Sequence, residues 1–484
     1  MSETAEEARR EALALVEAMA RDEPALVSIA GIDLAGALEQ QLFFALRDGV
    51  PRPSRPARSI LDVLAAARLV GAAAAASLGS WQVRPAAAAP IVILVRDPTH
   101  YAVVEQLRDQ LARESVPVAI VRTGRAAASA SPQGMAAPRL ARLVDPRLVP
   151  VLTAFQTRVL ARTGAASRSW VEVVGQRHAA DVTQVARREL GRIALGAVAL
   201  AGMVRYWRPG LLVAFDEIGT WARLLPAVGR RFDVPSLDLP HAEAADAVAM
   251  VGAGYDRMAV YGSRAADVLG AAGIAAERIV EIGAPRFDPL VAAVRSRPLS
   301  TGKRRIVYAA QYETGAMRPE VLALSMRAAM AVAGAVAPAE LVIVPHPADP
   351  RPPATDADTP IGVEVRVTGG NGLHGELPGA WAMVTGWSNS VFEAAIAGVP
   401  SITVAPPGTS PVNFAEEGLA IAASDEASAA GAAHALLDPV TREATVARAR
   451  AVLPERLGPL DGRSTERAAG LVLELVRGGA SAHA

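Results

Sequence analysis

Between an apolar run and a helical one the chain reads "GWSNSVFE". This places Gly386, Ser388, Asn389, Ser390 and Glu393 on one short junction. Free amides at a helix start, the positive end of its dipole and nearby hydroxyls together make a seat for a phosphate. The junction also has a plainer reading. Ser390-Val-Phe-Glu393 fits a capping box, with the serine oxygen on the N3 amide and the glutamate reaching back. That accounts for Ser390 and Glu393 but not for Gly386 and Ser388, and the two readings are compatible.

Other residues fall where a strand would open into a cleft. His346 stands between two prolines in "LVIVPHPADP". The prolines stop the ladder and stiffen the backbone, so the imidazole is held ready to bind a phosphate or a base. Gln311 follows the run "RIVYAAQ", where it suits a phosphate, a base edge or plain loop closure. Asp216 and Glu217 end "GLLVAFDEIG" and are candidates for a general base or for a helix cap. Adjacent strand residues point to opposite faces, so one of the two at most faces a substrate. His241 in "LDLPHAEAAD" and His100 in "RDPTHY" are base- or sugar-binding candidates. Arg286 and Asp288 in "GAPRFDPL" read as a domain-closing turn. Asp356 and Asp358 match a D-x-D metal pattern, but their proline-rich loop has no strand before it, so no metal site is expected. The sequence has no P-loop, no convincing G-x-G-x-x-G and no H-E-x-x-H.

These residues need a scaffold that brings strand ends together. From Pro90 onward short apolar runs alternate with helical spacing: "PIVILV", "VPVAIV", "GLLVAF", "VPSLDL", "DRMAVY" and "ERIVEI", then "RIVYAA", "ELVIV", "VEVRV", "AWAMV" and "PSITV". Alternation of this kind builds parallel sheets that bind ligands at the carboxyl ends of their strands. We expect an α/β protein with two Rossmann-like, doubly wound domains and a cleft between them. The expected divisions are a helical N-terminal extension over 1–88, a first domain over 89–297 and a second over 298–484 ending in a helical tail.

The chain has 484 residues, more than one ordinary core accommodates. Hydrophobic residues make up 51% and charged residues 20%, which suits a folded protein. Lys+Arg and Asp+Glu are both 49, so no electrostatic footprint for nucleic acid exists. Lys303 is the only lysine, which with the many alanines reads as compositional bias. Without cysteine, disulfides, thiolate zinc sites and cysteine nucleophiles are excluded. The acidic, amphipathic start "MSETAEEARREALALVEAMA" lacks the pattern of a signal peptide, and no apolar run is long enough to span a bilayer. A cytoplasmic protein is the expectation, with peripheral membrane contact left open.

Three segments in order resemble the two-domain GT-B glycosyltransferases. "MAVYGSRAADVLGAAGIAAERIVEIGAPRFDPL" resembles the end of the N-terminal domain of surface-polysaccharide enzymes. "LVIVPHPADP" resembles the His-Pro motif of bacterial sialyltransferases, capsule Kdo transferases and CDP-glycerol polymerases. "VTGWSNSVFEAAIAGVPSITV" resembles their Ser-containing strand–helix segment. The resemblance implies that His346 contacts a nucleotide, that Ser388 and Ser390 bind its phosphate and that Glu393 lies near the ribose. Gln311, Gly386 and Asn389 complete the nucleotide-binding set. It implies metal-independent displacement at a sugar's anomeric carbon, with no cofactor beyond the nucleotide-sugar co-substrate. A CMP-sugar is favoured over a UDP- or CDP-linked donor, and the acceptor is a hydroxyl of a glycan, a protein or a small molecule. Asp216, then Glu217 and His241, is the expected base. Leu-Pro-His-Ala at 239–242 replaces the relatives' Gln-His-Gly, and Ser-Asn-Ser replaces their adjacent serines. Three alternatives remain: a CDP-glycerol or ribitol phosphotransferase, a UDP-GlcNAc 2-epimerase-like enzyme, and a catalytically degenerate GT-B binding subunit.

Overall fold

The computed structural model describes residues 3–48, 71, 91–95, 100–122, 144–215, 219–240, 243, 252, 254–296, 303–313, 317–346, 359–368, 372–410 and 412–482. The chain forms two compact units, Met1–Ile282 with Glu466–Ala484 and Gly283–Thr465.

In the first unit, helices α1 (Glu3–Asp22) and α2 (Ala35–Asp48) flank a small antiparallel hairpin, Ser28–Ile29 with Ile32–Asp33. Then come β1 (Ile91–Val95), α3 (Tyr101–Arg113), β2 (Val118–Arg122), α4 (Val149–Trp207), β3 (Leu211–Ala214), α5 (Thr220–Phe232), β4 (Ser236–Asp238), β5 (Arg257–Val260), α6 (Ser263–Ala271) and β6 (Ile279–Glu281). The six strands are parallel in the order β2-β1-β3-β4-β5-β6. Their runs are buried on both faces, as parallel sheets demand. Val92, Leu94, Leu212 and Ala214 face one cluster; Ile91, Ile93, Leu211 and Val213 face the other. Within α4 the backbone leaves the helix at Gly175, whose φ of 71° suits only a residue without Cβ.

The N-terminal helices belong to this unit's core. Leu15, Met19, Leu38 and Phe43 share a buried cluster with Trp170, Val198 and Leu224. The Trp170 Nε1 donates to the Leu15 carbonyl at 3.2 Å. Charges lie in the same layer. Burial, with Arg9 nearby, pushes the Arg223 guanidinium down to about 10, and burial pushes the Glu39 carboxyl up. The described part of 1–88 is therefore an integral layer of the first unit.

The second unit contains α7 (Asp288–Ser296), β7 (Arg304–Ala309), α8 (Pro319–Ala335), β8 (Ala339–Val344), β9 (Val363–Val367), α9 (Gly372–Glu376), β10 (Ala382–Thr385), α10 (Ser390–Ala397), β11 (Ser401–Val404), β12 (Ile421–Ala423), α11 (Glu426–Ala435) and α12 (Pro439–Leu457). Its sheet is also parallel, in the order β9-β8-β7-β10-β11-β12. This is the dinucleotide-fold order 3-2-1-4-5-6, whose direction of winding reverses between β7 and β10. Ile306, Tyr308, Leu341, Ile343, Val384 and Ile402 pack with α8 and α11; the alternating Val307, Val342 and Met383 are equally buried.

The division between units differs from the expected 297/298. The chain passes from one unit to the other after Ile282 and again after Thr465. Residues 283–296 stay with the second unit because α7 packs on α10. The Asp288 carboxylate also accepts from the Thr465 amide and hydroxyl at 2.7 and 2.8 Å and from the Ser464 amide at 3.2 Å. The final helix, α13 (Ser464–Ala482), then returns to the first unit. Its Ala468, Leu471 and Val472 are buried with Val104, Leu107 and Leu111 of α3.

Candidate functional site

The candidate site lies at the carboxyl ends of β7, β8 and β10 in the second unit. β7 and β10 are joined across the switch point by Thr385, whose Oγ1 donates to the Ala309 carbonyl at 2.9 Å. Two residues beyond β7, the Gln311 Nε2 donates to the Trp387 carbonyl at 3.1 Å. Gly386 permits this approach. A Cβ there would stand 2.4 Å from the Gln311 Oε1 and 3.2 Å from the Met317 Cε.

On the other side, the Tyr312 ring lies against that of His346, with centroids 4.5 Å apart and planes 38° from parallel. Gln311 thus reaches towards β10 and Tyr312 towards β8. His346 and the 386–390 turn thus lie to either side of the end of β7, linked to it through Tyr312 and Gln311 respectively.

The capping box is not formed. The helix begins at Ser390, Asn389 stands at the N-cap, and neither it nor Glu393 caps through its side chain. Instead the Ser388 Oγ accepts from the Ser390 amide at 3.2 Å. The Ser390 Oγ is left buried, in a residue 6% exposed, with no hydrogen-bond partner among the described residues. The Gln311 Oε1 is likewise buried and unpartnered. A buried polar atom without a partner costs about 1–3 kcal/mol, so two at one strand end suggest groups set aside for a ligand.

Glu393 is occupied differently. The Arg286 Nη2 donates to its Oε1 at 3.2 Å, and the His374 Nε2 lies 3.5 Å from the same oxygen. The Glu393 side chain is 7% exposed, against 32% for Arg286 and 34% for His374. The carboxylate sits behind two outward cationic or polarisable groups. Neither Arg286 nor His374 was singled out for this, because their spacing carries no local pattern. Tyr312 was missed for the same reason. Asp288 is a helix-capping residue, in line with the closing-turn reading.

Asp216, Glu217 and His241 of the first unit lie outside the described residues, as do Asp356 and Asp358 of the second. His100 stands just before α3, its ring edge-on to Phe215 with centroids 5.5 Å apart.

No protein-family model matches the sequence, and no curated protein matches it. The two parallel six-stranded units have the two-domain, Rossmann-like architecture termed GT-B. Among solved structures, the chain is similar to the UDP-GlcNAc 2-epimerase of Neisseria meningitidis, with a TM-score of 0.50 and 8% identity over 80% of this chain and 100% of that one. Two others are MurG of Acinetobacter baumannii (TM-score 0.45, 13% identity, 80% of this chain and 100% of that one) and the wall teichoic acid polymerase TagF (0.49, 10%, 88% and 99%). At 8% identity the first likeness establishes the fold alone, and the scores of the other two, below 0.5, carry no argument. Among the described residues no helix is long and apolar enough to cross a membrane.

Proposed function

We propose that the protein is a glycosyltransferase that moves a sugar from a nucleotide-sugar to a hydroxyl acceptor. The observation that carries this reading is the meeting of Gln311 with the Gly386–Ser390 turn at the switch point of the second sheet, with the Ser390 Oγ and Gln311 Oε1 buried and unpartnered. Open α/β sheets take their ligands at that point. His346 and Gln311 are the proposed nucleotide contacts, and Ser388, Asn389 and Ser390 with the α10 amides hold the phosphate.

As the bond to the anomeric carbon breaks, negative charge grows on the leaving phosphate oxygen. Fixed amides, hydroxyls and an imidazole stabilise it without reorganising, so the proposed reaction is metal-independent. Asp216, then Glu217 and His241, is the proposed base for the acceptor hydroxyl. Glu393, held by Arg286 and His374, acts as a positioning group in this reading, a change from the ribose contact implied by resemblance. The proposed place of action is the cytoplasm.

The second reading is a UDP-sugar 2-epimerase. It comes from the sequence, where the same fold and a His-Pro at 346–347 are shared with UDP-GlcNAc 2-epimerases, while Gly-Trp-Ser-Asn-Ser at 386–390 stands in place of their Asp-Ser-Gly-Gly. Incubation with CMP-, CDP- and UDP-sugars separately, each with a mixed glycan acceptor, tests both. Release of free nucleotide with sugar transferred supports the transferase, and an isomerised sugar supports the epimerase. No turnover of any donor contradicts both and leaves a binding subunit.

A further inference from the structure

Tyr312 stands at the same strand end, and no reading above assigns it a role. It is an aromatic residue in a chain with only 4% aromatics, and three residues beyond β7 it remains 37% exposed, whereas Tyr308 within the strand is buried. Its ring is backed by His346, which follows β8 at a proline-flanked stop. A tilted imidazole at 4.5 Å packs against the phenol and favours one orientation of its plane, and 37% exposure leaves ring surface open to a ligand. Its neighbour Gln311 turns the opposite way, to the hydroxyl-bearing turn. Polar, unpartnered groups therefore lie on one side of the strand end and an exposed, buttressed ring on the other. A nucleotide has the same division, a charged phosphate at one end and a flat base at the other.

We propose that Tyr312 is the stacking platform for the nucleobase and that His346 holds its ring. This deepens the nucleotide reading of the site and rests on it. Stacking a base on an aromatic ring tolerates many bases, so Tyr312 sets the affinity for the nucleoside half without choosing among pyrimidines. The phenol hydroxyl has no part in it.

Calorimetric titration of the full chain with CMP, CDP and UDP, and with inorganic pyrophosphate as a probe lacking a base, tests the proposal. The expected result is that Tyr312→Ala weakens the nucleotide bound by the wild type roughly tenfold or more. Tyr312→Phe stays within about threefold of the wild type, and Tyr312→Leu, which keeps bulk without a ring, resembles the alanine variant. Pyrophosphate affinity is the same in all four proteins. Unchanged nucleotide affinity in Tyr312→Ala overturns the stacking role while the nucleotide site stands. A loss in Tyr312→Phe equal to that in Tyr312→Ala overturns it in favour of a hydroxyl contact. An equal loss of pyrophosphate overturns it in favour of a general disturbance of the site. A wild type that binds none of the nucleotides overturns both the proposal and the reading beneath it.

Discussion

Ser390 separates a ligand site from a structural turn. Its hydroxyl is buried and unpartnered, so removing it takes nothing from the fold. Ser390→Ala is expected to leave urea-unfolding stability unchanged or raise it by up to about 1 kcal/mol, while weakening nucleotide binding several-fold. A structural serine gives the reverse, lower stability and unaltered affinity. Gly386 tests the neighbouring contact. A Cβ at 2.4 Å from the Gln311 Oε1 forces that side chain aside and breaks its bond to Trp387. Gly386→Ala is expected to cost about 1–3 kcal/mol in denaturant unfolding, and the added Gln311→Ser substitution is expected to recover part of that cost. At this scale the sequence was half legible. Hydroxyls and a histidine at strand ends could be recognised by type and position. That Glu393 turns to Arg286 and His374 could not, because that choice depends on elements far apart in the chain.

Among elements, the outer strands of the second sheet are held by a chain of charges. Arg366 on β9 makes a two-pronged contact to Glu376 of α9 at 2.9 and 2.8 Å, and its Nε reaches Glu340 on β8 at 2.9 Å. Arg305 on β7 also donates to Glu340, at 3.0 Å. The hydrogen bonds from Arg366, outweighing burial, hold the Glu376 carboxyl below its ordinary value of 4.5. Burial alone would raise Glu340, but Arg366 and Arg305 together hold it down as well. A depressed carboxyl stabilises the fold above its unfolded value and loses that contribution as pH falls through the folded one. Arg366, 39% exposed, is partly screened by water, so Arg366→Met is expected to cost only about 1 kcal/mol at pH 7, with the gap to the wild type closing as pH falls below 4.5. Urea unfolding at several pH values checks it, and a gap constant with pH contradicts it. The strands themselves were legible, because continuous β-branched runs bounded by Gly and Pro mark buried parallel strands. β12 was not, since three residues, Ile421–Ala423, give too short a signal, and neither was the hairpin at Ser28–Asp33.

For the whole molecule, alternation of runs and helices pointed to two doubly wound sheets, and both are present. The assignment of the last helix was not readable. Its spacing shows an apolar face but not which core that face enters, and α13 enters the first unit although the chain arrives there from the second. Truncation after Thr465 is accordingly expected to lower the unfolding midpoint of the first unit. Leu471→Ala is expected to cost about 2–4 kcal/mol, and limited proteolysis should show the new cuts in 1–282 and not in 283–465. Loss confined to the second unit would contradict that assignment. Above the fold stands the claim that the second unit carries a nucleotide at the end of β7. Its most direct test is a thermal-shift series with CMP, CDP and UDP on the wild type and on a Ser390→Ala, His346→Ala double variant. The account predicts that one of the three raises the wild-type midpoint in proportion to the logarithm of its concentration above saturation, and leaves the variant's midpoint nearly still. A wild type that none of the three shifts, or a variant shifted as far as the wild type, would contradict it.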